Sequence, residues 1–110
     1  MTALDRRRCE ASVGIARLDA AQVAELLATI DGWSVVQDAI EKSFRFPDYH
    51  HTMACVNALA WISHAADHHP DLAIGYGRCT VRYHTHTVSG LSINDFICAA
   101  KADALLAEPA

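Results

Sequence analysis

The sequence predicts an α+β fold in two layers, with a four-stranded antiparallel sheet in one layer and helices packed on one face of it in the other. Three observations predict this class. The length of 110 residues suits one domain, since a single core usually holds about 100–150 residues. Apolar residues make up 52% of the chain and charged residues 20%, as in globular proteins. Segments with helical spacing alternate with pairs of strand-like segments, in the order α-β-β-α-β-β-α.

The first helix is predicted from its capping residues, which begin at Asp19. The carboxylate of this N-cap has Gln22 three residues later as its capping-box partner, and Gly32 stands where a C-terminal cap is expected. Residues 1–17 show no sustained periodicity, so we expect a loosely ordered N-terminal lead-in before a single domain over residues 18–110. The apolar stripe of the helix consists of Val23, Leu26, Leu27 and Ile30.

A strand pair and a long helix are predicted next. Residues 33–36 and 40–46 have strand-like composition and alternation, and they flank a turn at Gln37-Asp38. Pro47-Asp48 stops the second strand and caps a helix that extends to about Ala66.

The second half of the chain repeats the predicted order of a strand pair followed by a helix. His68-His69-Pro70 ends the long helix, because a residue before proline is pushed toward extended geometry. Residues 72–74 and 78–86 are predicted as strands that turn at Gly75-Tyr76-Gly77, and Ser92 is predicted to cap the last helix.

Charge and composition exclude several classes of protein. Nine basic and thirteen acidic residues give a net charge of −4, which disfavours nucleic-acid binding through a basic surface. No apolar run approaches the roughly 18–20 residues of a membrane helix, and the arginines at positions 6–8 precede no apolar stretch of a secretory signal. We therefore expect a cytoplasmic protein. The four cysteines lack a CxxC pair and are expected to be small core residues: Cys9, Cys55, Cys79 and Cys98.

Histidine is the unusual residue of this composition. Five of the seven histidines lie between positions 64 and 86. His64 and His68 have helical spacing, and His84 and His86 share a face of the predicted strand. Three interpretations remain open: unrelated surface histidines, a zinc site of three histidines with an open position for water, and metal-free acid–base catalysis. Spacing alone does not separate the zinc site from the metal-free site.

The same region resembles the signature of the pterin-4a-carbinolamine dehydratase family. The signature requires an acidic, basic or histidine residue, then His-His-Pro, an aromatic residue, a histidine and an aspartate. This chain fills every position at a permitted spacing, and the resemblance extends from Asp31 to about Leu105. The matching residues are His64, His68, His69, Pro70, Tyr76, His86 and Asp95.

The resemblance implies an elimination without a cofactor, in which the pterin is the substrate. A tetrahydropterin hydroxylated at carbon 4a would lose water to give quinonoid dihydropterin, which recycles the pterin of aromatic amino-acid hydroxylases. Carried over by position, His68 and His69 would be the acid–base pair and His86 would bind the 4a-hydroxyl. Asp95 would orient an imidazole or contact the pterin. No metal ion is implied.

Further expectations follow from the same resemblance. His64 and Tyr76 are assigned to substrate binding, although packing of the turn also explains Tyr76. The resemblance also implies that the protein is a homodimer or a homotetramer. Some relatives act in protein interaction, as a cofactor of a transcription factor or as a rubisco assembly factor. His64, Leu72 and Thr87 stand where other residues are frequent in the enzymes, and they favour that alternative.

Overall fold

The computed structural model describes residues 3–106 and contains the predicted elements in the predicted order. Short 3-10 turns occur at Leu4–Arg6 and His86–Val88. Within the described range, no helix combines the length and apolar character of a membrane span. The elements are α1 (Ala20–Leu27), β1 (Ser34–Val36), β2 (Ala39–Arg45), α2 (Tyr49–Ala66), β3 (Asp71–Ile74), β4 (Arg78–Tyr83) and α3 (Ile93–Leu106).

The four strands form one antiparallel sheet in the order β1-β2-β4-β3, which confirms the predicted α+β class. β4 is therefore a central strand, with Tyr83 opposite Ile40 of β2 and Arg82 opposite Asp71 of β3. α2 and α3 contact each other and β4. Alternate residues of β4 are fully buried, as the period-two pattern requires, and they are Cys79, Val81 and Tyr83.

The start of α1 is as predicted, but its end is not. Asp19 Oδ1 accepts a hydrogen bond from Gln22 N–H at 2.8 Å, and Gln22 Oε1 accepts one from Asp19 N–H at 2.9 Å. The helix ends at Leu27 instead of near Gly32. The Thr29 hydroxyl donates to the Leu26 carbonyl at 2.7 Å, which gives the backbone an alternative to the next helical bond.

The prediction that the last strand reaches His86 is wrong. β4 ends at Tyr83, where pairing with β2 also ends. Thr85 pairs only with Gly90 in an isolated bridge, and the chain between them makes a 3-10 turn. The chain therefore folds back on itself soon after Tyr83, because no neighbouring strand continues beside it.

Residues 3–17 have only one short 3-10 turn, and they are hydrogen-bonded to the domain. The side-chain amide of Asn94 accepts from Glu10 N–H and donates to Glu10 O, both at 2.8 Å. Lys101 donates to Asp5 O at 2.8 Å, and Leu18 N–H donates to Leu91 O at 2.9 Å. The segment is tied to α3 and to the residues just before it; a domain boundary at residue 18 stays a prediction.

Gly77 lies against the end of β2, and this close approach gives the first prediction. A Cβ at position 77 would be 2.6 Å from Phe46 O, which is backbone. We expect Gly77→Ala to lower the free energy of unfolding by about 1–3 kcal/mol, because the two backbones must separate. Urea unfolding followed by circular dichroism measures this change.

Gly75→Ala is the matched control in the same turn. A Cβ at position 75 has no neighbour closer than 4.0 Å, at the flexible end of Arg78. Its free energy of unfolding should stay within about 0.5 kcal/mol of the wild type. Equal losses for the two variants would contradict the role given to the contact with Phe46.

Candidate active site

Four of the clustered histidines line one pocket of about 240 Å³, at the end where the chain leaves α2 and β4. His68 and His69 come from the loop after α2, and His84 and His86 follow β4. The other lining residues are Ser12, Asp67, Thr85 and Thr87. The structure therefore brings together the three histidines that the resemblance assigns to catalysis.

The conformation at the end of α2 places His68 and His69 in different environments. Asp67 adopts the left-handed conformation, with φ 51°, at a place where glycine is more usual. His68 N–H then donates to Ser63 O at 3.2 Å, which closes a Schellman-type cap. As a result the His68 side chain is buried, with 7% exposure, while His69 remains exposed before Pro70.

A buried carboxylate holds His68 in place. Asp95 is fully buried, and its Oδ1 accepts a hydrogen bond from His68 Nε2–H at 2.6 Å. Its Oδ2 accepts from the Thr85 hydroxyl at 2.7 Å and from Ser92 N–H at 2.9 Å. Asp95 thus both caps the start of α3 and contacts an imidazole of the pocket.

The His68 ring also stacks on an aromatic side chain of the core. The ring centroids of His68 and Tyr83 are 6.0 Å apart, and the two planes differ by 11°. The Tyr83 hydroxyl is buried and has no hydrogen-bond partner within residues 3–106. Burial raises the pKa of Tyr83, so this ring stays neutral beside the imidazole.

The electrostatic balance at His68 favours its protonated form. Burial by itself lowers the pKa of His68, but the hydrogen bond and the negative charge of Asp95, together with the charges of Cys9 and Asp67, raise it by more, so the pKa lies above the usual value. When His68 is neutral, the bond to Asp95 keeps the proton on Nε2, and Nδ1 carries the free electron pair. Asp95 therefore sets both the orientation and the tautomer of this ring.

His84 is a pocket residue that the signature does not contain. Its ring centroid is 5.7 Å from that of His86, and its Nε2 lies 3.4 Å from Asp71 Oδ2 of β3. The spacing of two residues between His84 and His86 was the sequence signal that placed them on one side of the chain. In the structure they lie in an irregular segment after β4 rather than in a strand.

Ser12 lines the pocket because the N-terminal segment passes beside it. Thr87 Oγ1 donates a hydrogen bond to Ser12 O at 3.2 Å, which joins this segment to the loop that carries His86. Sequence reasoning missed Ser12, because residues 1–17 have no periodicity that would place them in the fold.

His64 and Tyr76 are not among the residues that line the histidine pocket. His64 is exposed in the last turn of α2, and Tyr76 is 71% exposed in the turn between β3 and β4. His64 and His68 do not continue along one helical face, because the left-handed Asp67 lies between them. The assignment of His64 and Tyr76 to substrate binding stays a prediction.

The pocket is lined by several titratable side chains. Across residues 3–106, no group of three histidine, cysteine, aspartate or glutamate side chains has the arrangement needed to hold a metal ion. The zinc hypothesis and the metal-free hypothesis both stay predictions. Several imidazoles around one small cavity, one of them backed by a carboxylate, can give and take protons at a bound molecule.

Comparison with known proteins agrees with the resemblance. A family model described as pterin 4 alpha carbinolamine dehydratase matches residues 16–105. A relative from Xanthomonas campestris pv. campestris, provisionally named pterin-4-alpha-carbinolamine dehydratase, is 58% identical over 88 residues. That alignment covers 78% of this chain and 75% of the relative.

Two solved structures have a similar fold. A transcriptional coactivator/pterin dehydratase from Brucella melitensis superposes with a TM-score of 0.79 at 32% identity, covering 82% of this chain and 98% of that one. A pterin dehydratase-like protein described as a RuBisCO assembly factor in the alpha-carboxysome gives a TM-score of 0.58 at 24% identity, over 70% of this chain and 89% of that one. The chain belongs to the pterin-4-alpha-carbinolamine dehydratase family.

Proposed function

We propose that the protein dehydrates a 4a-hydroxytetrahydropterin to quinonoid dihydropterin and water. The observation that carries this proposal is the buried pair of Asp95 and His68 beside a pocket that three further histidines line. Membership of the family supports the same reaction.

The reaction needs two proton transfers and no external electrons. The bond from carbon 4a to the hydroxyl oxygen breaks, and a proton delivered to that oxygen lets it leave as water. The neighbouring ring nitrogen loses its proton, and the electron pair forms a carbon–nitrogen double bond. One group must give a proton while another takes one, which suits imidazoles near neutral pH.

The chain's own residues divide these tasks. His68 serves as the acid, since Asp95 raises its pKa and keeps it protonated to a higher pH than a free histidine. His69 lines the same pocket and takes the proton from the ring nitrogen. His86 hydrogen-bonds the 4a-hydroxyl, and Asp95 positions His68 without contacting the substrate. The proposal includes no metal ion and no cofactor.

We also propose that the protein is a cytoplasmic homodimer or homotetramer. β1 and β3 are the edges of the sheet, and both expose apolar side chains, at Val35, Val36 and Ile74. Edge strands with free backbone groups are suited to pairing with a second copy.

The alternative is a protein-interaction role without dehydratase activity, such as rubisco assembly. Trp61 on α2 is 73% exposed, and so large an exposed aromatic side chain is typical of a contact surface. A direct assay separates the two functions. The purified protein should accelerate dehydration of 4a-hydroxytetrahydropterin over the uncatalysed reaction, and an absence of acceleration by folded protein would favour the interaction role.

The metal-free mechanism has its own test. We expect full turnover after treatment with a chelator, in protein that elemental analysis shows to be free of zinc. Stoichiometric zinc together with loss of turnover on chelation would contradict this prediction, and would favour the three-histidine zinc site.

His68→Ala and His69→Ala should each lower kcat by about 10²–10⁴-fold, because each removes one proton-transfer group. His50→Ala is the matched control, since His50 is an exposed histidine in the first turn of α2, away from the pocket. Its kcat should equal that of the wild type. Equal activity in all three variants would contradict the acid–base assignment.

The pH profile tests how Asp95 acts. If His68 is the acid, kcat falls as the pH rises through the pKa of His68, which gives the pH profile a descending limb. Asp95 raises this pKa and so moves the descending limb to higher pH. Asp95→Asn removes the charge that raises this pKa, so we expect the descending limb to move to lower pH. Steady-state rates across the pH range measure the shift.

Ser92→Ala is the control for the capping function of Asp95. It removes the hydroxyl at the start of α3 but keeps the carboxylate, so we expect a loss of about 1 kcal/mol in stability with the descending limb in place. If the descending limb of the pH profile does not move in Asp95→Asn, Asp95 acts only as a helix cap.

A further inference from the structure

Cys9 and Cys98 lie beside each other although 89 positions separate them in the chain. Their Sγ atoms are 3.5 Å apart. Cys9 belongs to the irregular N-terminal segment, outside the residues that match the family, and Cys98 belongs to α3. The sequence predicts four core cysteines, but Cys9 is only partly buried.

The fold holds this pair together by more than the sulfur contact. Asn94 precedes Cys98 by one helical turn, so both side chains lie on the same face of α3. The side-chain amide of Asn94 accepts a hydrogen bond from Glu10 N–H and donates one to Glu10 O, and these two bonds keep the neighbour of Cys9 against this face. The sulfur atoms need to move about 1.5 Å closer to reach the bonded distance of about 2.0 Å.

Cys9 can also be reached from outside. It lines an open cleft of about 460 Å³ together with Trp61, Lys101 and the arginines at positions 6–8. The hydrogen bond from the Cys98 thiol and the charges of His68 and Lys101 together lower the pKa of Cys9 to about 7, against the opposing effects of burial and of the Asp95 charge. A substantial fraction of Cys9 is therefore thiolate, the nucleophilic form, at neutral pH.

We propose that Cys9 and Cys98 form an oxidation site at which a peroxide converts the two thiols into a reversible intramolecular disulfide. Cys9 is the attacking residue and Cys98 is the resolving residue. The cysteine pair adjoins the histidine pocket, but this oxidation does not require the proposed dehydratase reaction.

The chemistry balances in two steps. The Cys9 thiolate attacks one oxygen of hydrogen peroxide, the oxygen–oxygen bond breaks, and the products after proton uptake are a Cys9 sulfenic acid and water. The Cys98 thiol then attacks the Cys9 sulfur, the sulfur–oxygen bond breaks, and the departing hydroxide takes the Cys98 thiol proton and leaves as a second water while the disulfide forms. Two electrons pass from the two thiols to the peroxide, and an added dithiol returns them.

The disulfide would fasten the N-terminal segment to α3 covalently. Ser12 lies three residues beyond Cys9 and lines the histidine pocket, so the bond would also restrain one wall of that pocket. The oxidised form would therefore differ from the reduced form in the mobility of this wall.

The test is peptide mapping of the folded wild-type protein after exposure to about one equivalent of hydrogen peroxide, with free thiols blocked before digestion. We expect a peptide linked through Cys9 and Cys98, two remaining free thiols, and complete reversal by dithiothreitol. A wild-type protein in which Cys9 ends as sulfenic or sulfinic acid, or bonds to another chain, would overturn the proposal.

Cys55 and Cys79 provide the internal control. Both are buried, and burial raises the pKa of both thiols, that of Cys55 to about 12, so neither supplies an accessible thiolate as Cys9 does for its buried neighbour Cys98. They should stay reduced under the same conditions, and a disulfide that includes either of them would count against the assignment.

Two variants separate the roles of the partners. In Cys98→Ser, Cys9 should stop at the sulfenic acid, which dimedone traps, and in Cys9→Ser the rapid loss of thiols should disappear. Circular dichroism of each variant establishes that it is folded. Equal dimedone labelling of Cys9 in the wild type and in Cys98→Ser would show that Cys98 does not resolve the sulfenic acid.

Discussion

The interaction on which the site depends is the hydrogen bonding of one buried carboxylate, that of Asp95. A charge without access to water is tolerated only when it is paired and hydrogen-bonded. Oδ1 accepts from His68, and Oδ2 accepts from Thr85 and from the backbone of Ser92. These partners come from the loop after α2, the segment after β4 and the start of α3, so satisfying one side chain brings three parts of the chain to one place.

This arrangement makes the fold and the proposed chemistry share a residue. Asp95 is the third residue of α3, and its carboxylate accepts a hydrogen bond from the backbone N–H of Ser92, which has no partner within the helix. As the partner of His68, it raises the pKa of that imidazole against the opposing effect of burial. The cap explains why the carboxylate can be buried, and the imidazole explains what the buried carboxylate does for the pocket.

The order of elements could be predicted because its signals are local. The capping box at Asp19 and the strand turn at Gln37 depend on neighbouring residues, and both lie where they were predicted. The end of β4 could not be predicted, because it depends on how far the neighbouring strands extend. The position of Ser12 in the pocket and the Cys9–Cys98 contact also escaped prediction, because long-range packing of an aperiodic segment creates them.

The candidate site was predicted from a spaced signature, and the structure assembles only part of that signature. His68, His69 and His86 reach one pocket with Asp95 behind it, whereas His64 and Tyr76 lie elsewhere on the surface. The central claim is that Asp95 keeps His68 protonated, and NMR titration of histidine-labelled protein measures it directly. We expect the His68 resonance, assigned by its loss in His68→Ala, to titrate above the free-histidine pKa of about 6.5. A His68 pKa at or below that value would contradict the account.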